Sequence, residues 1–269
     1  MSNNRKFAII AILILGAAAL FWSLNTASAP ILVSNVKAVK MNANMYSVYL
    51  NMQNDGDADF ITSIQSTDQN HTHVMGAHPT YGIAIPKGAS PSFSSDGAHI
   101  MVSANSAELK AGEFIPLTIN FKNSKSQQIK AIVEDASASD TMAIGDESAP
   151  MDHSMHGSAK IEVGGNDNAP AIEMSVTQND DETWAVNIST QNFEFFEPQK
   201  EPMTHKDGQG HGHLYLNGLK LQRMYSNTAT IGKLPQGQHE ITVTLNSNDH
   251  KTYAINGEPV SASSEITAD

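Results

Sequence analysis

Eleven histidines and twelve methionines stand in a chain that has no cysteine. Imidazole and thioether are the side-chain groups other than thiolate that suit copper, so their grouping is read first. One group holds His71, His73, Met75 and His78, followed further on by His99 and Met101. His71 and His73, like His99 and Met101, are spaced i, i+2, and on a strand such pairs project from one face. Two such pairs on neighbouring strands, or on a strand and a loop, would present three or four ligands together. A mixed imidazole and thioether set suits Cu(I), because thioether sulfur is soft and neither ligand has to lose a thiol proton. Zinc would rather take histidine with carboxylate or thiolate. The plain alternative is strand packing, with Met101 in a core and His99 capping the turn after Asp96-Gly97.

A second group is compressed into Met151, His153, Met155 and His156. Flexible Met/His tracts capture copper without a folded site, and the alternative is a polar linker that happens to contain them. A third group comprises His205, His211, His213 and His250, with Met203 just upstream. The intervening "DGQGHGH" (207–213) is rich in glycine, so the backbone there can bend several ligands inward. An all-nitrogen set suits Cu(II) better than Cu(I), with zinc as the other candidate. The alternative is a loop of scattered histidines. His239 follows a Pro/Gly turn at a strand start and reads as structural.

The elements that must position these residues are strands. "MYSVYLNMQN" (45–54), "FITSIQS" (60–66), "YGIAIPKGAS" (81–90), "HIMVSA" (99–104), "FIPLTINF" (114–121) and "QIKAIVE" (128–134) alternate or carry β-formers between turn signals. Short strands at that spacing predict a β-sandwich or barrel over residues 30–135. Residues 136–170 are small and polar and read as a flexible linker, with one short strand over 159–163. The pattern resumes over 171–269 with "AIEMSVTQ", "WAVNIST", "HLYLNGLKLQRMYS", "HEITVTLNS" and "TYAINGEPVSA". Asn217-Gly218 between Leu-Tyr-Leu and Leu-Lys-Leu is a two-residue hairpin signal, and Asn256-Gly257 is a second. The hairpin pattern puts Leu214 and Leu216 on one face and His213 and Tyr215 on the other. No long helix is expected. The fold class is all-β, with a second, immunoglobulin-like β-sandwich over 171–269.

Ahead of these strands, Arg5 and Lys6 precede an apolar run from Phe7 to Trp22, then Ala27-Ser28-Ala29. Residues 1–29 read as a signal peptide or an N-terminal membrane anchor through residues 7–22, which places residues 30–269 in the periplasm. With no cysteine there is no site for lipoprotein-type lipid attachment, and no thiolate metal centre, Fe–S cluster or cysteine nucleophile. The formal charge of −12 disfavours a nucleic-acid partner and attracts cations. No G-x-S-x-G elbow, H-E-x-x-H helix or P-loop occurs. The chain reads as a binder rather than an enzyme.

"GIAIPKGASPSFSSDGAHIMV" (82–102) resembles the signature of the PCu(A)C periplasmic copper chaperones. Gly82, Ile85, Pro86 and Gly88 match that family's G-x-x-I-P-x-G, and Gly97, His99 and Met101 match its G-x-H-x-M. "YLNMQNDGDADFITSIQS" (49–66) is similar to its strand, Asn-x-Gly turn and strand. The resemblance covers about residues 30–135 and implies a cupredoxin-like β-sandwich. It implies Cu(I) held by His99 and Met101 with upstream ligands, for which His71 or His73 fits the histidine and Met75 the methionine. It also implies delivery of copper, without catalysis, to an acceptor such as a respiratory oxidase subunit or another copper chaperone. Similar Met/His-rich extensions follow the core domain in some members. The rival readings are periplasmic copper sequestration for resistance, zinc capture, and an adhesion or assembly module with no metal at all.

Overall fold

The computed structural model describes residues 31–42, 44–68, 70–104, 108–134, 159–164, 168–197 and 205–269. The N-terminal segment, the tract Met151–His156 and Met203 lie outside the described residues. Among the described residues the chain is all-β, and no helix is long and apolar enough to cross a membrane.

The first half contributes β1 (Ile31–Lys40), β2 (Met45–Asn54), β3 (Asp59–Ser66), β4 (His71–Met75), β5 (Ile83–Ile85), β6 (Ser92–Phe93), β7 (His99–Ser103), β8 (Phe114–Phe121) and β9 (Gln127–Glu134). Pairing runs β4–β7–β2–β1–β9–β8–β3, antiparallel except for the parallel β1–β9 contact. The sheet curls back on itself where Thr72 Oγ1 on β4 donates to the Ile64 carbonyl on β3 at 2.6 Å. Alternation along each strand sends Tyr46, Val48, Ile100, Val102, Leu117 and Ile119 into one core. The motif glycines Gly82 and Gly88 both sit at φ +71°, a left-handed conformation that a side chain would strain.

The second half contributes β10 (Lys160–Glu162), β11 (Ala171–Gln178), β12 (Trp184–Gln191), β13 (Glu194–Phe195), β14 (Gln209–Leu216), β15 (Leu219–Met224), β16 (Thr228–Ile231), β17 (Gly237–Ser247), β18 (Thr252–Ile255), β19 (Glu258–Pro259) and β20 (Ser261–Ala268). A three-stranded sheet, β11–β12–β16, packs on the β15–β14–β17–β20 sheet. Trp184, Val186 and Ile188 from the former meet Leu214, Leu216 and Val243 from the latter. Both hairpin signals form. Asn217 and Gly218 take φ 51° and 82°, and Asn256 and Gly257 take 53° and 83°, as a type I′ turn requires.

The halves do not sit apart. Lys220 on β15 pairs with Ser92 on β6, the Ala98 N–H donates to the Gly218 carbonyl, and the His78 N–H donates to the Asn217 carbonyl. Asn217 Nδ2 also donates to the Gly82 carbonyl at 2.9 Å. Leu219 belongs to the first core, and Ala84 belongs to the second. At this seam backbone meets backbone: a Cβ on Gly218 would lie 1.9 Å from the Gly76 carbonyl oxygen.

Candidate metal sites

β4 and β7 lie side by side and antiparallel. His73 is directly opposite Met101, Met75 is opposite His99, and His71 is opposite Ser103. Residues directly opposite in such a ladder share a face, so four candidate ligands form a two-by-two array. The other face of the same strands carries Val74, Ile100 and Val102 against the first core. The array therefore lies on the side turned away from that core, and its shielding is graded. His99 and Met101 are 7% and 8% exposed, Met75 is half-buried, and His71 and His73 are exposed.

Neighbouring groups orient the two inner residues. His99 Nδ1 lies 3.0 Å from the Gly97 carbonyl, a contact that places the ring proton on Nδ1 and the lone pair on Nε2. The Tyr49 ring stands beside it, 6.2 Å between centroids. On β2, Ser47 is opposite Met101 and its hydroxyl donates to the thioether sulfur at 3.1 Å. Imidazole and thioether so arranged can hold a soft, low-coordinate ion.

The third sequence group divides. His211, His213 and His250 each offer a ring nitrogen within 4.8 Å of the others. His211 and His213 come from one face of β14, and their Nε2 atoms are 2.9 Å apart. His250 comes from the β17–β18 loop, where it holds the left-handed φ of 65°. His205 is not one of this group. Its Nε2 is engaged by Asp207 Oδ1 at 2.7 Å, and its Nδ1 lies 3.9 Å from Asp249 Oδ1. His239 is structural: Nε2 donates to the Pro235 carbonyl at 2.8 Å, and the ring stacks on Phe60.

One residue beside this cluster was not singled out by sequence reasoning. Asp96 Oδ2, from the first half, sits 2.7 Å from His213 Nδ1 and 2.5 Å from Lys220 Nζ. The Tyr215 hydroxyl donates to the same oxygen at 3.2 Å. A bulge places Tyr215 opposite Lys220 while Leu214 is opposite Gln222, which aims Lys220 at the carboxylate. Burial alone would raise the Asp96 pKa. The His213 hydrogen bond and the Lys220 charge outweigh burial and hold the carboxyl well below the usual carboxylate range. Burial pushes the His213 ring down to about 4 despite Asp96. Burial, then His213 and His250, push His211 down to about 2. Both rings are neutral at neutral pH, the form that binds metal.

The family model described as LpqE-like, a lipoprotein family, matches residues 31–133. No curated protein matches the chain. Among solved structures, the copper-bound PCuAC domain from PmoF2 is 18% identical with a TM-score of 0.36, over 40% of this chain and 96% of that one. The apo PCuAC domain from PmoF1 is 15% identical with a TM-score of 0.36, over 40% and 96%. The N-terminal periplasmic domain of ScsB from Proteus mirabilis is 8% identical with a TM-score of 0.28, over 87% and 92%.

Proposed function

We propose that the protein is a periplasmic copper chaperone that carries Cu(I) on the outer face of the β4–β7 ladder. The observation that carries this reading is the register, which sets His73 beside Met101 and Met75 beside His99 on one face. His99 and Met101 are the inner, oriented ligands, and His73 and Met75 complete the set from the more exposed strand. Soft, uncharged ligands on a partly open surface release their ion more readily than a four-thiolate cage, which suits a carrier that hands copper to an acceptor. The acceptor class is a respiratory oxidase copper site or another copper chaperone. The Met151–His156 tract would raise the local concentration of ligands during transfer.

The test is an anaerobic Cu(I) titration of the full chain against a chromogenic chelator, beside a His99→Ala and Met101→Ala double variant. The expected result is one tightly held Cu(I) in the parent chain and a loss of at least 100-fold in the variant. Thermal unfolding of the variant separates ligand loss from unfolding. Equal Cu(I) affinity in the two proteins would overturn the assignment. Delivery is tested in cells, where loss of the protein should lower oxidase activity at low copper rather than survival at high copper.

A further inference from the structure

We propose that His211, His213 and His250 form a second metal site, selective for a divalent ion with Cu(II) bound most tightly, and that Asp96 positions it from the other half of the chain. This inference does not rest on the Cu(I) reading above, since the two sites share no ligand.

Three observations support it. The first is the donor set. Three imidazole nitrogens converge with no sulfur, a combination that suits Cu(II) and Zn(II), of which copper binds the tighter at a given nitrogen site. Ligands about 2.0–2.1 Å from a tetrahedral ion lie about 3.3 Å apart. His211 and His213 at 2.9 Å lie somewhat inside that spacing, and the third nitrogen, from His250, lies within 4.8 Å and would reach it by an inward shift of its loop.

The second observation is the proton arrangement. The ionised Asp96 places the His213 proton on Nδ1, which turns the Nε2 lone pair toward His211. A carboxylate on the far nitrogen of a histidine is the recurring outer partner of metal-bound imidazole; it fixes the ring and raises its basicity. His211 adds a buried Nδ1 that has no hydrogen-bond partner among the described residues, while its Nε2 meets only His213 Nε2 at 2.9 Å.

The third observation is the walls. His211 and His213 are each 1% exposed, Tyr225 and Tyr215 flank them, and His250 stands half-buried beside them. Lys220 Nζ lies 3.1 Å from His213 Nδ1 and 3.4 Å from its Nε2, and the Asp96 carboxylate with which it pairs balances its charge beside the converging nitrogens. A site closed in this way holds an ion rather than passing it on.

The experiment titrates the full chain with Cu(II) and, separately, Zn(II), and records the electron paramagnetic resonance spectrum of the copper form. The expected result is one Cu(II) with nitrogen ligation and tighter retention than zinc. His250→Ala, on the half-buried loop, should weaken Cu(II) at least 10-fold and alter the spectrum. Asp96→Asn should cost about 10–100-fold and shift the spectrum, with recovery in Asp96→Glu. Cu(I) affinity at His99 and Met101 should stay at the parent value in His250→Ala, so failure here and failure of the chaperone reading are told apart. Equal Cu(II) binding and an unchanged spectrum in both His250→Ala and His211→Gln would place the ion elsewhere and overturn the proposal. Tighter zinc than copper, or no divalent ion retained, would also overturn it. Should His211→Gln fail to fold, His250→Ala decides alone.

Discussion

The β4–β7 face and the β14 cluster set the same side chain in opposite surroundings. On β4–β7, histidine alternates with methionine across an open ladder, and the outer strand meets solvent. On β14, histidines stand two residues apart in a strand buried on both faces, backed by an ion pair. The open array is oriented by Ser47, Tyr49 and the Gly97 carbonyl. The closed one leans on Lys220 and Tyr215 of its own half and on Asp96 from the other half of the chain. The contrast teaches that ligand spacing alone does not fix a site's behaviour; softness, burial and the supporting groups do.

The change that should break the comparison most severely is Lys220→Met. It leaves the Asp96 carboxylate buried without its cation, and breaking such a pair costs about 3–5 kcal/mol. Denaturant unfolding should show that loss, and Cu(II) binding should fall with it. A change below 1 kcal/mol would mean that the pair is solvated and the seam is loose.

Acid comes next. The His211, His213 and His239 rings are held neutral by burial in the folded chain, while the unfolded chain protonates near 6.5. A depressed pKa contributes stability above the unfolded value and loses it as pH falls toward the folded one. The thermal midpoint without metal should therefore hold above about pH 6.5 and drop by several degrees toward pH 4, the folded value for His213. Asp96 extends the loss below its ordinary range, because its folded pKa is depressed too. A flat profile from pH 7 to 4 would contradict the burial of these rings.

Met101→Leu sharpens the contrast from the other side. The swap keeps volume and should change stability by less than about 1.5 kcal/mol. It removes the thioether, so Cu(I) affinity should drop at least 10-fold while Cu(II) binding at β14 stays unchanged. The smallest effect belongs to Lys87→Ala. Its ion pair with Asp57 joins side chains that are 54% and 82% exposed, and calorimetry should register less than about 1 kcal/mol.

Much of the fold is legible in local pattern. Alternation marks β2, β8 and β11, and the two Asn-Gly pairs mark their turns. β1 escapes because Asn35 at φ 51° and a register shift between Ser34 and Lys37 break its period. β20 escapes because "SASSEITA" has little apolar signal; it is a strand because β17 pairs with it along its whole length. The i, i+2 pairs were visible, but nothing local says that β4 and β7 are neighbours. His205 stands close to His211 in sequence, yet Asp207 claims it. The Asp96–His213 contact joins residues far apart in the chain, and no periodicity encodes it.

Gly218 has a consequence for descent. Its missing side chain lets one half's backbone rest on the carbonyl of Gly76 in the other. A contact between two main chains has no rotamers with which to absorb a neighbour's drift, and any L-residue there would also have to adopt φ +82°. The halves cannot be shuffled among relatives as free cassettes. A recombinant that joined one lineage's first half to another's second would have to inherit both sides of that crossing together.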